Sequence, residues 1–249
     1  MNVPEGTMRF APSCLAAGLM GVGLDEILAL ASTQTGLGLS RPVVIIIQIV
    51  VLMFAIIVHE VSHGYAAEQL GDPTARRMGR LTLNPIPHID PFGSILVPGI
   101  LFLTSRVTGM PLIIGWAKPV PVDIRYFKDP LRGFAITSAA GPGSNFLQVI
   151  VYALIFRTAV HLGWPTWVQF IGMLGAWFNM IIAFFNLIPV PPLDGSRLVA
   201  AVLPPDTAGR YLAFGRYGMF VIIALVFFGL LDPYFSAIRR LLILVLGLS

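Results

Sequence analysis

The sequence predicts an all-α membrane protein, a polytopic bundle of about five or six spans with a re-entrant or extended segment after the first span. Of its 249 residues, 56% are hydrophobic and 11% are charged, and the mean hydropathy is +0.84. Soluble domains carry about 25% charged residues. The net charge of +4 comes without a dense Lys/Arg run, which favours a lipid bilayer over nucleic acid as the partner.

The amino-terminal segment, residues 1–40, is rich in Gly, Ala, Ser and Thr. Asp25 and Glu26 interrupt its apolar stretch, so we expect an interfacial or partly ordered segment. Arg9 is its early positive charge and follows Glu5, which is not typical of a signal peptide. Cys14 is the single cysteine of the chain, which excludes an internal disulfide and a multi-cysteine zinc site.

The first span is predicted at residues 42–69, where residues 42–58 contain no charge and Gln48 is their one polar side chain. Residues 71–92 are polar and turn-rich. The apolar patch at 94–104 is too short for a simple span and contains Pro98-Gly99, which favours a re-entrant or tilted segment. Residues 115–122 are proline-rich and predict an extended conformation.

Three further spans are predicted at residues 133–160, 167–188 and 212–231, and a shorter one at 237–248. Positive charges favour cytoplasmic loops. They follow the first span, precede the span at 133 and separate the spans at 167 and 212. These charges are Arg76, Arg77, Arg80, Lys118, Arg125, Lys128, Arg132, Arg197, Arg210 and Arg216. If the 94–104 patch does not cross, His63 and Asp194 both lie near the cytoplasmic face.

A zinc-protease motif, His59-Glu60-Val61-Ser62-His63, lies at the inner end of the first span. Histidines four residues apart project from one face of a helix and can bind one zinc ion. Glu60 is rotated away from them and can act as general base toward water at the metal. Ionisable groups at membrane depth are costly and indicate function.

A catalytic zinc needs a third protein ligand and an open position. Asp194 is a candidate because the topology places it on the same side at the end of an apolar helix, although Leu193-Asp194-Gly195 is equally typical of a simple turn. His161 falls on the other side of the membrane, and His88 is better interpreted as a loop histidine beside Asp90.

The chain resembles the site-2 protease family of intramembrane zinc metalloproteases, over about residues 42–200. The resemblance depends on three motifs: His59-Glu60-x-x-His63, Gly141-Pro142-x-x-Asn145, and Asn186-x-x-Pro189-x-Pro191-x-Leu193-Asp194-Gly195. It implies that His59, His63 and Asp194 bind one zinc ion per chain and that Glu60 is the catalytic base. It also implies that Asn145 and Asn186 bind substrate backbone or stabilise the oxyanion.

Judged from the residues alone, the second and third motifs could also have purely structural roles. Asn145 could satisfy backbone or a neighbouring helix, Gly141 could be a packing notch, and Asn186 could mark a broken helix end. The resemblance is to the compact bacterial and archaeal type, and we expect neither a PDZ domain nor a CBS pair. Residues 41–200 are then the metalloprotease membrane core, and residues 201–249 form carboxyl-terminal spans.

These expectations together describe a zinc-dependent endopeptidase in the cell membrane. Its active site would lie near the cytoplasmic face, and its substrate would be a transmembrane protein or peptide. An extended substrate could pair with residues 115–122 by strand addition. The alternative is a membrane metal-binding or metal-transport protein using the same histidine pair, and a third possibility is an inactive member of the fold. The sequence does not specify an oligomeric state.

Overall fold

The computed structural model describes residues 39–91 and 118–248, which form eight α-helices and two short 3-10 helices. The α-helices are α1 Arg41–Gln69, α2 Thr74–Arg77, α3 Pro130–His161, α4 Thr166–Asn186, α5 Asp194–Ala200, α6 Pro205–Ala213, α7 Gly215–Phe227 and α8 Asp232–Leu246. The 3-10 helices are Ile86–His88 and Ile124–Tyr126. No strand occurs in these two ranges, which confirms the all-α prediction. The amino-terminal segment, apart from residues 39 and 40, and the patch at 94–104 lie outside them.

Three of these helices, α1, α3 and α4, are long and apolar enough to cross a membrane. The pair α6 and α7 would count as a fourth span, although the two helices meet at an angle of 59°. The span predicted at 212–231 corresponds mainly to α7, and the bent pair begins earlier than predicted, at Pro205. Proline is favoured in the first turn of a helix because its nitrogen needs no partner there. The described residues thus form a polytopic helical membrane protein.

The chain divides into two compact units. Among the described residues, the first comprises 39–52, 146–181 and 230–248. Within it, α3 and α4 approach closely through small residues. A Cβ atom on Gly172 would lie 2.8 Å from the backbone nitrogen of Phe156, and one on Gly175 would meet the ring of Tyr152. Small residues at helix contacts are the usual means of close packing between spans, because lipid supplies no hydrophobic driving force.

The second unit comprises, among the described residues, 53–91, 118–145 and 182–229, and all the expected site residues belong to it. It also contains the proline segment, which we define as residues 118–123. This segment is attached at four points. The N–H of Lys118 donates to the carbonyl of His88, that of Asp123 donates to the buried carboxylate of Asp72, and that of Val120 donates to Glu60. Arg80 donates to the carbonyls of residues 118 and 119. The segment is therefore fixed against the end of α1 by its own backbone groups.

Candidate metal centre

Three buried side chains converge at the end of α1. His59 and His63 are one helical turn apart, and their Nε2 atoms are separated by 3.0 Å. Oδ2 of Asp194 lies 3.3 Å from Nε2 of His59 and 3.2 Å from Nε2 of His63. These residues form a group of three that could hold a metal ion. The structure thus brings together the three ligands that the resemblance implied.

Helix α3 fixes the orientation of both imidazoles. Nδ1 of His63 donates to the backbone carbonyl of Thr137 at 2.8 Å. Nδ1 of His59 lies 2.5 Å from Oδ1 of Asn145 and donates to it. Because both acceptors are carbonyl oxygens, each ring carries its proton on Nδ1 and leaves the lone pair of Nε2 directed at the other ring. One face of α3 therefore determines the tautomer of both histidines.

The resulting donor set fits a cation. Two Nε2 lone pairs and one carboxylate oxygen lie 3.0–3.3 Å apart. In these tautomers no proton lies between the two imidazole nitrogens, so an uncompensated group of acceptors would be unfavourable. Two ligands of a tetrahedral zinc, each at about 2.0–2.1 Å, stand about 3.3 Å apart. The observed separations match that spacing, and three such ligands would leave the fourth position open, as in catalytic zinc sites.

Gly141 makes the close approach of α3 possible. A Cβ atom at this position would lie 2.7 Å from Cε1 of His59 and would overlap the ring of His63. Thr137, Gly141 and Asn145 follow one another at intervals of four residues, so they lie along one side of α3. The first and the last hold the rings, and the glycine between them leaves room for the rings. Gly141 is therefore a packing notch, and the notch accommodates the two imidazoles.

Asp194 is presented by a short helix. The sequence suggested that it lies at the end of an apolar helix, but α4 ends at Asn186 and Asp194 begins the separate helix α5. Gly195 permits this arrangement, because a Cβ atom there would overlap the carbonyl oxygen of Leu187 at the end of α4. Asp194 is buried, where a carboxylate needs a compensating partner.

Glu60 directly follows His59 and is only partly buried. Its Oε2 accepts a hydrogen bond of 2.8 Å from the N–H of Val120 in the proline segment. Its Oε1 has no hydrogen-bond partner among the described residues. One oxygen thus fixes the carboxylate, and the other remains available to accept a proton from water.

The two asparagines differ in what they contact. Asn145 is fully buried, and its amide contacts both His59 and, at 3.3 Å, the carbonyl of Ala55. Asn186 is half-buried and donates to the carbonyl of Ile182 in its own helix at 3.0 Å. In the described part of the chain, the side-chain oxygen of Asn186 has no partner. Asn145 therefore holds a histidine, whereas Asn186 bonds only within its own helix among the described residues.

Several residues at the site were not singled out from the sequence. The carbonyl of Thr137 and the N–H of Val120 are backbone groups, for which side-chain patterns give no signal. Arg197, considered only as a topological charge, donates to Oδ1 of Asp194 at 3.2 Å. The sequence did contain one indication of this contact, because a residue three positions after Asp194 in a helix is its neighbour on the helix surface. His88, interpreted as a loop histidine, ends a short 3-10 helix and is buried, and its Nε2 lies 2.9 Å from the carbonyl of Thr82.

Comparisons with known proteins point to one family. The model of "Peptidase family M50" matches residues 157–229. "Putative zinc metalloprotease YwhC" of Bacillus subtilis (strain 168) is 36% identical over 191 residues, covering 71% of this chain and 78% of that protein. "Putative zinc metalloprotease Rip2" of Mycolicibacterium smegmatis is 28% identical over 211 residues, covering 84% of this chain and 77% of that protein.

An archaeal protein is also similar over a shorter stretch. "Putative zinc metalloprotease MJ0611" of Methanocaldococcus jannaschii is 30% identical over 95 residues, covering 36% of this chain and 47% of that protein. No solved structure gives a significant match. The histidine pair, the carboxylate that joins it and the extent of the similarity to YwhC agree, and the chain belongs to peptidase family M50, the site-2 protease family.

Proposed function

We propose that this protein is a zinc-dependent endopeptidase that cuts peptide bonds in or near the transmembrane segments of other membrane proteins. The observation that carries the proposal is the convergence of two imidazole nitrogens and one carboxylate oxygen within 3.3 Å, beside a glutamate with a free oxygen. The two histidines and the glutamate lie on α1, which is long and apolar enough to cross a bilayer, and Asp194 reaches them from α5. Membership of peptidase family M50 supports the same activity.

His59, His63 and Asp194 would hold the zinc ion, and Asn145 and Thr137 orient the two imidazoles that bind it. Bound zinc supplies Lewis-acid activation of water and of the scissile carbonyl. Asn145 and the carbonyl of Thr137 keep a proton on each Nδ1, which leaves both Nε2 atoms free to act as ligands. Both histidines are therefore held in the tautomer that can bind zinc before the ion binds.

Glu60 would move the proton during hydrolysis. Its free Oε1 accepts a proton from the attacking water and then delivers it to the departing amide nitrogen. The hydrogen bond from the N–H of Val120 keeps the other oxygen in place. A carboxylate with one fixed and one free oxygen can carry out both transfers without a large change of rotamer.

A transmembrane substrate must lose its helical hydrogen bonds locally before its carbonyl can react, because those bonds shield the peptide group. Among the described residues the side-chain oxygen of Asn186 has no partner, so it could accept a hydrogen bond from an exposed N–H of the unwound peptide.

The proline segment has few free N–H groups with which it could pair with an added strand. The N–H groups of Lys118, Val120 and Asp123 are already used, and Pro119 and Pro121 have none. A peptide aligned there would be held through its own N–H groups.

The site is expected near the cytoplasmic face of the cell membrane. This proposal is supported by the many arginines and lysines in the segments that follow α1 and precede α3, since cytoplasmic loops are enriched in such residues. Water needed for hydrolysis would then enter from the cytoplasm through the partly exposed side of Glu60.

The proposed function is tested with Glu60→Gln. The full-length protein and the variant are purified, their zinc content is measured, and each is reconstituted with a helical membrane substrate. We expect the variant to keep zinc and to lose cleavage, because the amide cannot accept the proton. Glu68→Gln is the matched control, because Glu68 lies on the same helix and pairs with Arg76 away from the metal ligands. Cleavage by Glu60→Gln at the wild-type rate would exclude Glu60 as the base.

The metal-transport alternative makes a different prediction. Transport needs ligands spaced across the bilayer. Within residues 39–91 and 118–248, His59, His63 and Asp194 are the one group of three His, Cys, Asp or Glu residues arranged to hold a metal ion. Zinc flux into vesicles that contain the purified protein, without cleavage of any helical substrate, would favour transport over proteolysis.

A further inference from the structure

We propose that Arg197 is a positioning residue of the metal site: it binds Oδ1 of Asp194 and thereby presents Oδ2 to His59 and His63. This inference rests on the proposed role of Asp194 as a zinc ligand. The two oxygens of the carboxylate have separate partners. Oδ2 lies 3.2–3.3 Å from the two imidazole nitrogens, and Oδ1 lies 3.2 Å from a guanidinium nitrogen of Arg197.

Arg197 is itself fixed by the helix that orients the histidines. The same guanidinium nitrogen lies 3.2 Å from the hydroxyl of Ser138, which is fully buried. The guanidinium carbon stands 4.4 Å above the ring of Phe134. Phe134 and Ser138 are one turn apart on α3 and so share a face. A planar guanidinium can stack on a ring and donate in its plane at the same time, which an ammonium cannot.

All three metal ligands are therefore held by consecutive turns of α3. Thr137 holds His63, Asn145 holds His59, and Ser138 with Phe134 holds the arginine that holds Asp194. Asp194 belongs to the short helix α5, which lies elsewhere in the sequence. Without Arg197, the Oδ1 atom would lose the partner that sets the rotation of the carboxylate. The side chain of Asp194 could then turn and offer a different oxygen, or both, to the metal.

Electrostatics alone predicts the opposite effect on metal binding. A positive charge beside the site repels a divalent cation, so its removal should strengthen metal binding if charge were the main contribution. A positioning role predicts weaker binding, because loss of a group that orients a metal ligand typically reduces metal affinity by about 10- to 100-fold. The sign of the change in affinity therefore distinguishes the two explanations.

The experiment compares wild-type protein with Arg197→Met and Arg197→Lys, each as the full chain in detergent. Zinc affinity is measured on the metal-free protein by competition with a chelator. The visible spectrum of the cobalt-loaded protein reports the coordination geometry. Thermal unfolding of the metal-free protein reports whether the fold is retained. Arg216→Met is the matched control, because Arg216 is an exposed arginine of the same unit that also stacks on a ring, 5.1 Å from that of Tyr217.

We expect Arg197→Met to bind zinc about 10- to 100-fold more weakly, with a changed cobalt spectrum and an unfolding temperature close to that of the wild type. Arg197→Lys keeps the charge without the planar fork and should restore only part of the affinity. Arg216→Met should behave as wild type in all three measurements. Unchanged or tighter zinc binding by Arg197→Met, with an unchanged cobalt spectrum, overturns the proposal.

Two further outcomes are informative. If Arg197→Met does not fold, Arg197→Lys decides the question, because wild-type affinity together with a wild-type cobalt spectrum in that variant overturns the positioning role. Failure of the proposed function looks different. If the wild-type protein binds zinc, depends on Arg197 for that binding and cleaves no membrane substrate, the endopeptidase assignment fails while the role of Arg197 stands.

Discussion

The close packing of α3 against the histidine pair predicts that Gly141→Ala strongly weakens zinc binding. An added Cβ atom would lie 2.7 Å from Cε1 of His59, about 0.7 Å inside the 3.4 Å at which ordinary contacts begin, and would overlap the ring of His63. The rings cannot swing away freely, because Asn145 and Thr137 hold their other nitrogens. Relief of the overlap would therefore break at least one of these hydrogen bonds.

The magnitude follows from these two effects. Overpacking a well-filled interior by a methyl group costs about 1–3 kcal/mol, and the net loss of a hydrogen bond costs about 0.5–1.5 kcal/mol. A combined cost of about 1.5–4.5 kcal/mol in the metal-binding geometry corresponds to a loss of zinc affinity of roughly 10- to 2,000-fold. Chelator competition on the purified, metal-free protein measures this range directly.

Gly143→Ala is the control for this substitution. It makes the same chemical change two residues further along α3, where an added Cβ atom would meet nothing within 4 Å. We expect wild-type zinc affinity from this variant, and no loss of thermal stability, because alanine is favoured over glycine in a helix by about 1 kcal/mol. Zinc binding by Gly141→Ala within twofold of the Gly143→Ala value would refute the conclusion that α3 seats the histidines.

Three further substitutions separate the roles at the site. Asn145→Ala removes the acceptor for His59 and should lower zinc affinity by about 10- to 100-fold in the same competition assay; an unchanged affinity would argue against an orienting role. Asn186→Ala should keep wild-type zinc content and lower kcat/KM for a helical substrate, and loss of zinc instead would place Asn186 among the groups that support the metal. Asp194→Asn should reduce the zinc content of the purified protein, because a neutral amide is a weaker ligand than a carboxylate; full zinc occupancy would remove Asp194 from the ligand set.

Much of this site follows from sequence spacing because its signals are local. His59 and His63 share a helix face whatever the rest of the fold does, and a long apolar run predicts a span without tertiary information. The position of Asp194 was predicted less well. Its helix is separate from α4 because the chain turns through a proline-rich stretch, and sequence periodicity does not show where the next helix begins.

The orienting groups could not be predicted in the same way. Thr137 acts through its backbone carbonyl, so the identity of its side chain carries no information about that role. Asn145 was a candidate for substrate binding, and its contact with a histidine 86 positions earlier in the chain was not predicted. The positive charge of Arg197 was used only to predict the membrane topology. Its contact with Asp194 depends on how α5 packs against α3. These contacts are tertiary, and they appear only when the helices are packed.

The proline segment also bears on self-association. Two strands pair when each offers both donors and acceptors to the other, and an unprotected edge of this kind recruits copies of itself. In the proline segment, the N–H groups of Lys118, Val120 and Asp123 already donate hydrogen bonds within the chain, and the two prolines have no N–H group. Two such edges would face each other mainly with carbonyl oxygens, which repel. An edge of this composition can accept a peptide that brings its own N–H groups, yet it resists pairing with a second copy of the protease in a crowded membrane.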